Sequence, residues 1–180
     1  GISGDVKYGG LGLPLIVTTC VNELLSSACL SLALNPLMTQ GQIDALESHA
    51  NEDIKNIFLP KLNSGEWSGT MNLTEPQAGS DVGALRTLAL KNNDGTYKIT
   101  GQKIYISWGD HSLSSNICHL LLARLPNSPK GTKGISLFLV PKYIPDQNGN
   151  INEVNSINTI SLEHKMGLHG SPTAVLEYKN

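Results

Sequence analysis

The 180-residue sequence has few aromatic residues, few cysteines and little net charge. Phenylalanine, tryptophan and tyrosine make up only 5% of it, so we expect an aliphatic core. Its net charge is −2 and its 13 basic residues are scattered, which argues against nucleic-acid binding. The three cysteines lack CxxC spacing, which argues against a zinc or disulfide framework. We expect buried, reduced thiols in the cytoplasm or an equivalent reducing compartment such as the mitochondrial matrix. No signal peptide is predicted.

The longest apolar run extends from Leu13 to Leu34 and is tested first as a membrane span. It contains Asn22 and Glu23, and its apolar positions recur with helical spacing. We therefore predict a buried bundle helix that begins near Pro14 and ends at Asn35-Pro36, and no membrane span. The stripe consists of Val17, Val21, Leu24, Leu25, Ala28 and Leu32. Shorter helices are predicted at Ile43–His49 and Asp53–Phe58, with a break at Asn63-Ser64-Gly65.

From Trp67 onward the sequence changes to short alternating runs that are separated by turn residues. The predicted strands are Trp67–Leu73, Ala84–Lys91, Tyr97–Trp108, Ile117–Arg124, Ile135–Pro141, Ile157–His164 and Ala174–Tyr178. Asn92-Asn93-Asp94-Gly95 is a strong hairpin signal. The fold class is therefore α+β, with a partial amino-terminal helical domain at 1–66 and a β domain at 67–180.

One predicted strand ends in an unusual way, at Met71-Asn72-Leu73-Thr74-Glu75-Pro76-Gln77-Ala78-Gly79-Ser80-Asp81. Pro76 cannot continue a ladder, and the small residues after it form a turn, so backbone N–H groups at the strand end are left unpaired. A flavin that is being reduced needs fixed donors around its pyrimidine edge and a hydroxyl near N5. The backbone at Met71 and Leu73 and the Thr74 hydroxyl could supply both.

A second segment, Tyr97 to Gly109, reads as a strand that carries Tyr105 two positions before Ser107. Side chains two apart share one face of a strand. Tyr105 could then lie against a flavin ring while Ser107 donates toward N5.

Together these segments resemble the acyl-CoA dehydrogenase family. Its signature Leu-Thr-Glu-Pro-x-Ala-Gly-Ser-Asp matches Leu73 to Asp81 without a break. Its second motif matches Gly101 to Gly109, with Tyr105 where Trp is usual and Ser107 where Thr is usual. A third match runs from Glu163 to Thr173. Its sequence Glu-His-Lys-Met-Gly is most similar to the branch of the family that contains methylthiopropanoyl-CoA dehydrogenases.

The resemblance implies FAD as cofactor, held by the residues already named together with Ser80, which would sit where the flavin and an acyl-CoA substrate meet. It also implies α,β-dehydrogenation of an acyl-CoA thioester, an electron-transfer flavoprotein as acceptor, a homo-oligomer and an antiparallel middle β domain. In the family the catalytic base is a glutamate of a carboxy-terminal helical bundle, which we expect to be absent from this sequence. None of the eight glutamates here is a convincing base, and Glu75 reads as structural.

Several alternatives remain open at this stage. An acyl-CoA oxidase would differ only in letting O₂ reach the reduced flavin, and a non-catalytic relative would bind flavin without turnover. A plain β-sandwich interaction module would bind no flavin. The histidines lack partners at metal-like spacing, so no metal site is predicted. Arg124, Lys130 and Lys133 are either contacts to CoA phosphates or, more commonly, solvated loop charges.

Overall fold

In the computed structural model, which describes residues 1–179, two α-helices precede nine strands and no α-helix follows Ser64. The helices are α1 (Leu15–His49) and α2 (Glu52–Ser64). The strands are β1 (Trp67–Asn72), β2 (Leu88–Lys91), β3 (Tyr97–Ser107), β4 (Asn116–Arg124), β5 (Ile135–Pro141), β6 (Tyr143–Pro145), β7 (Ile151–Val154), β8 (Ile157–Leu162) and β9 (Thr173–Tyr178). The α+β fold class is confirmed.

Helix α1 does not end at Asn35-Pro36, and that prediction is wrong. The helix breaks earlier, at Cys29, whose backbone has φ −159° and ψ 94°, and then continues through Pro36 to His49. The segment after Pro36 buries Ile43 and Leu46 in the core beside the sheet, and this packing outweighs the backbone hydrogen bond that proline cannot make.

The first half of α1 is also more exposed than its apolar stripe indicated. Leu24 is 71% exposed and Leu32 is 49% exposed. An apolar stripe indicates that one side of a helix packs against a partner, but it does not identify that partner. Residues 1–179 leave most of this side uncovered, and only Val17 and Val21 of the stripe are half-buried. By length and composition alone α1 could cross a membrane, with 6% of its most apolar window buried. Cys20 and Cys29 are exposed, which corrects the expectation of three buried thiols, while Cys118 is buried.

Helix α2 is longer than predicted and has a clear cap at each end. The Asn51 side chain accepts a hydrogen bond from the Ile54 N–H at 2.9 Å. Gly65 ends the helix with φ +78°, a conformation that favours glycine, as the predicted break at Asn63-Ser64-Gly65 indicated.

The main sheet is mixed, with strand order β1-β4-β2-β3-β9-β8 and with β5 also paired to β4. Strands β1 and β4 run parallel, with Met71 opposite Leu120. The expectation of an antiparallel β domain therefore holds for β2–β3, β3–β9, β4–β5 and β8–β9 but is wrong for the pairings of β4 with β1 and β2. Sequence alternation encodes burial but not the direction of the neighbouring strand.

Strand β4 separates two hydrophobic cores. Cys118 and Leu120 pack with the helices and β1, whereas Leu121 and Ala123 pack with β3 and β9 on the other side. Both faces of β4 are thus buried, which accounts for its nearly continuous apolar sequence.

The remaining strands lie within two residues of the predicted bounds, with two exceptions. The hairpin at Asn92–Gly95 joins β2 to β3 as predicted, but β2 begins at Leu88 instead of Ala84, because residues 82–84 form a 3₁₀ turn. The short pair β6–β7 was not predicted, since β7 is exposed on every residue and has no apolar alternation.

Candidate functional site

The end of β1 turns sharply over four residues. The Glu75 N–H donates to the Ala78 carbonyl at 3.0 Å, and the Ala78 N–H donates to the Glu75 carbonyl at 2.9 Å. Pro76 sits between them and has no N–H to donate. The chain therefore leaves the sheet just after Asn72, as the sequence indicated.

Strand β3 runs beside this end and contains a β-bulge between Lys103 and Ile106. Within the bulge Tyr105 has φ +60°, which is rare and costly for an aromatic residue, and its side chain is 61% exposed. Lys103 and Ile106 are both buried although they are three positions apart, so the period-two alternation fails here. The period-two spacing from which Tyr105 and Ser107 were predicted to share a strand face is therefore interrupted by the bulge. Both nonetheless flank buried Ile106 and are more exposed than it is.

The two motifs meet through backbone and side-chain hydrogen bonds. The Ile104 N–H donates to the Thr74 carbonyl at 2.9 Å, and Lys103 Nζ donates to the Leu73 carbonyl at 3.0 Å. Within residues 1–179 the Thr74 N–H and the hydroxyls of Thr74, Ser80 and Ser107 have no hydrogen-bond partner. Thr74 and Ser107 are half-buried and Ser80 is exposed, so none of the three residues is fully enclosed by the protein.

A buried ion pair, which sequence reasoning missed, holds the two motifs together. Lys103 Nζ lies 2.8 Å from Glu75 Oε1, and the two side chains are 0% and 3% exposed. Glu75 also accepts hydrogen bonds from the Arg86 N–H at 2.7 Å and from the Thr87 hydroxyl at 2.6 Å. The two motifs carry charged residues of opposite sign, and this was the signal available in the sequence.

The charge of this pair is set by two opposing effects. Burial alone would raise the pKa of Glu75, but the hydrogen bonds from Lys103, Thr87 and Arg86 outweigh it and hold that pKa at about 2. Burial lowers the pKa of Lys103 from its usual value, and the Glu75 carboxylate opposes that shift. A carboxylate held this firmly in its ionised form is a weak proton acceptor, which agrees with the structural reading of Glu75.

The third motif lies next to Ser107. Thr173 pairs with Ser107 across β9 and β3, and Lys165 Nζ closes the intervening loop by donating to the Leu168 carbonyl and the Thr173 hydroxyl, both at 2.9 Å. Ser80 lies farther along the chain, beyond the Glu75–Ala78 turn, and no hydrogen bond links it to Thr74, Tyr105 or Ser107 within the described chain.

The other charged candidates are Arg124, which has hydrogen-bond partners in the protein, and two exposed lysines. Arg124 is neither a phosphate ligand nor a solvated charge here, because its guanidinium donates to the carbonyls of Gly83, Leu85, Pro129 and Gly131. Lys130 and Lys133 are exposed.

The buried histidines are satisfied core residues. His119 Nδ1 lies 2.6 Å from the Thr70 hydroxyl, and burial lowers the His119 pKa to about 3. His111 Nδ1 accepts the Leu113 N–H, so Nε2 carries the proton of the neutral ring and donates to Ser68. His111 therefore cannot accept a proton from Ser68 as a hydrolase pair would. Residues 1–179 contain no group of three His, Cys, Asp or Glu side chains that could hold a metal ion.

Comparison with known proteins assigns this arrangement to a class. The family model "Acyl-CoA dehydrogenase, N-terminal domain" matches residues 1–66, and "Acyl-CoA dehydrogenase, middle domain" matches residues 70–180. The fold is thus that of the helical and β domains of a flavin-dependent dehydrogenase class. The chain belongs to the acyl-CoA dehydrogenase family.

Individual relatives agree with this assignment. The chain is 49% identical over 179 residues to 3-methylmercaptopropionyl-CoA dehydrogenase of Ruegeria pomeroyi, covering 99% of this chain and 30% of the relative. It is 43% identical over 167 residues to a butyryl-CoA dehydrogenase of Syntrophomonas wolfei, covering 92% of this chain and 27% of the relative. The chain therefore spans less than a third of the length of these curated relatives.

Solved structures share the fold. A structure from work on the electron transferring flavoprotein of Acidaminococcus fermentans superposes with a TM-score of 0.81 at 28% identity, covering 99% of this chain and 43% of that chain. An acyl-CoA dehydrogenase of Bacillus anthracis complexed with FAD superposes with a TM-score of 0.75 at 26% identity, covering 99% and 28% respectively.

The residues present fit a flavin at the end of β1. A flavin pyrimidine edge requires hydrogen-bond donors, and the Thr74 N–H and hydroxyl are donors without a partner in the described chain. A flavin ring requires a flat apolar neighbour, and Tyr105 is exposed. Tyr105 follows Ile104, whose N–H donates a hydrogen bond to the Thr74 carbonyl.

Proposed function

We propose that this chain forms part of the FAD and substrate site of an acyl-CoA dehydrogenase that removes hydrogen from the α and β carbons of an acyl-CoA thioester. The observation that carries the proposal is the hydrogen bond from the Ile104 N–H to the Thr74 carbonyl, which brings the second motif beside the end of β1. The N–H and hydroxyl of Thr74 have no partner within residues 1–179. Family membership and the acyl-CoA dehydrogenase names of the relatives support it.

In this proposal six residues hold the cofactor. The backbone at Met71 and Leu73 and both donors of Thr74 bind the pyrimidine edge, and Tyr105 stacks on the ring. Ser107 donates near N5. When bound, FAD supplies the acceptor for two electrons and one proton.

Ser80 is the sixth of these residues and also the proposed contact with substrate. Its side chain is exposed, its hydroxyl has no partner within residues 1–179, and it follows the Glu75–Ala78 turn that closes the strand end. A hydroxyl in this position can donate to a phosphate or to a carbonyl without breaking an existing hydrogen bond.

The proton acceptor for substrate is proposed to come from a part of the protein beyond this chain. Glu75 is buried and held ionised by Lys103. Glu52 and Glu66 form ion pairs with Lys7 and Lys61 at 2.9 and 2.8 Å, and none of the three lies free beside Thr74. A base must reach the proton that it removes, and the family resemblance assigns that role to a glutamate of a carboxy-terminal helical bundle.

We further propose an electron-transfer flavoprotein as acceptor, a homo-oligomeric protein and a reducing compartment. The structural relative from work on an electron transferring flavoprotein supports the first of these. The absence of any disulfide among the three cysteines agrees with the last.

The test uses the full-length protein that contains this chain. It is purified, saturated with FAD and mixed anaerobically with butyryl-CoA and with 3-methylmercaptopropionyl-CoA while the visible flavin absorption is followed. Bleaching by a thioester that is reversed by an electron-transfer flavoprotein is expected. Rapid reoxidation by O₂ instead would identify an oxidase, binding without bleaching would identify a non-catalytic relative, and no FAD binding would refute the proposal.

A further inference from the structure

Lys103 contacts the proposed flavin-binding strand end from inside the protein. Its ammonium is fully buried and donates to the Leu73 carbonyl at 3.0 Å and to Glu75 Oε1 at 2.8 Å. Full burial of a lysine is costly unless its charge is paired and hydrogen-bonded, as it is here. The site thus keeps a positive charge directly behind one peptide group.

That peptide group also carries the donor that faces the proposed ligand. The Leu73 carbonyl and the Thr74 N–H belong to the same peptide unit, so a cation at the oxygen polarises the unit and strengthens the N–H as a donor. The next carbonyl, that of Thr74, accepts the Ile104 N–H at 2.9 Å. Both peptide units around Thr74 are therefore fixed by β3, while the Thr74 N–H has no partner within residues 1–179.

Glu75 holds Lys103 in this position. Its Oε1 accepts from Lys103 and from the Thr87 hydroxyl, and its Oε2 accepts from the Arg86 N–H. Stability alone is a poor explanation for such a pair, because well-packed apolar residues in place of a buried ion pair are often as stable or more stable. The hydrogen bond from Lys103 Nζ to the Leu73 carbonyl gives the buried charge a role other than stability.

We propose that Lys103 is a positioning residue that orients and polarises the Leu73–Thr74 peptide, so that the Thr74 N–H favours the reduced form of the bound flavin. The inference rests on the proposed function, because it needs a flavin at the end of β1. Reduction places negative charge on the pyrimidine edge, and a strengthened donor stabilises that charge more than it stabilises the neutral oxidised ring.

The test removes the charge without leaving an unpaired one. The double variant Glu75→Gln/Lys103→Met loses both charges, and the single amide oxygen introduced by the first substitution would still accept hydrogen bonds from the Thr87 N–H and hydroxyl in the place of Oε1. A second double variant, Glu75→Gln/Lys103→Gln, keeps an uncharged amide donor at position 103. The matched control is Asp110→Asn/Lys142→Met, which removes a half-buried ion pair that has no contact with Thr74.

Two quantities are measured in the full-length protein: the midpoint potential of bound FAD and the amide resonance of ¹⁵N-labelled Thr74 without FAD. With Met at position 103 we expect the preference for reduced over oxidised flavin to fall about tenfold, which lowers a two-electron potential by about 30 mV. The Thr74 amide proton should move upfield, and the variant with an amide at position 103 should lie between the Met variant and wild type.

Changes no larger than those of the control in both quantities would overturn the proposal. If the wild-type protein binds no FAD, the proposed function fails, and the Thr74 resonance still decides whether Lys103 polarises this peptide. A shifted resonance with an unchanged potential would also overturn the role assigned to Lys103 in flavin reduction.

Discussion

Tyr105 stores backbone strain at the position where it is proposed to stack on the flavin. Its φ of +60° lies in the left-handed region, which costs a non-glycine residue about 1–2 kcal/mol. The residue is 61% exposed, so the protein without FAD gains little from burying its ring. Strain of this kind is typical of functional sites.

Replacement by glycine and by alanine separates strain from ring contact. Both Tyr105→Gly and Tyr105→Ala remove the ring, but only glycine relieves the left-handed strain. We expect the Gly variant to exceed the Ala variant by about 1 kcal/mol in free energy of unfolding. Because the ring is lost in both, the dissociation constant for FAD should rise about fivefold in both, as expected for an aromatic stacking contact of about 1 kcal/mol.

The assays are urea unfolding of the FAD-free protein and fluorescence titration with FAD. Equal stability of the Gly and Ala variants would refute the strain at Tyr105. If the FAD affinity is unchanged in both variants, Tyr105 does not stack on the flavin and has only a structural role in β3.

Three further predictions concern stability and association. Lys103→Met alone should lower the free energy of unfolding by about 3–5 kcal/mol, because it leaves Glu75 buried and unpaired, and adding Glu75→Gln should recover most of the loss in urea unfolding. The folded-state pKa of His119 is about 3, below its usual 6.5, so stability should fall as pH drops from about 6.5 to 3. Glu75 has a folded-state pKa of about 2 against its usual 4.5, so the free energy of unfolding should fall further between about pH 4.5 and 2. In urea unfolding at a series of pH values, His119→Gln should abolish the first of these decreases and Glu75→Gln the second. Since Leu15 and Leu24 are 75% and 71% exposed, the chain of residues 1–180 should self-associate in sedimentation velocity, and changing both leucines to Gln should reduce that association.

Local patterns predicted most of the strand positions. Strand β5 has the predicted bounds, Ile135–Pro141, and the end of β1 was predicted to within one residue, because alternation and Pro76 are local signals. The motifs also predicted a common site, and the hydrogen bond from Ile104 to Thr74 joins two of them.

Features that depend on distant residues could not be predicted in this way. The Glu75–Lys103 pair joins residues 28 positions apart, and each residue alone reads as an ordinary surface charge. The left-handed backbone at Tyr105 contradicts the normal preference of an aromatic residue. The break of α1 lies at Cys29, where no glycine or proline indicates it.

The Thr74 N–H and hydroxyl, which have no partner within residues 1–179, are proposed to bind the pyrimidine edge of FAD. A crystal structure of the full-length protein with FAD would show whether they do. We expect the Thr74 N–H and hydroxyl to lie within hydrogen-bond distance of that edge, with the Tyr105 ring against the flavin and the Lys103–Leu73 contact retained. A flavin bound elsewhere, or a Thr74 N–H directed away from the ring, would contradict it.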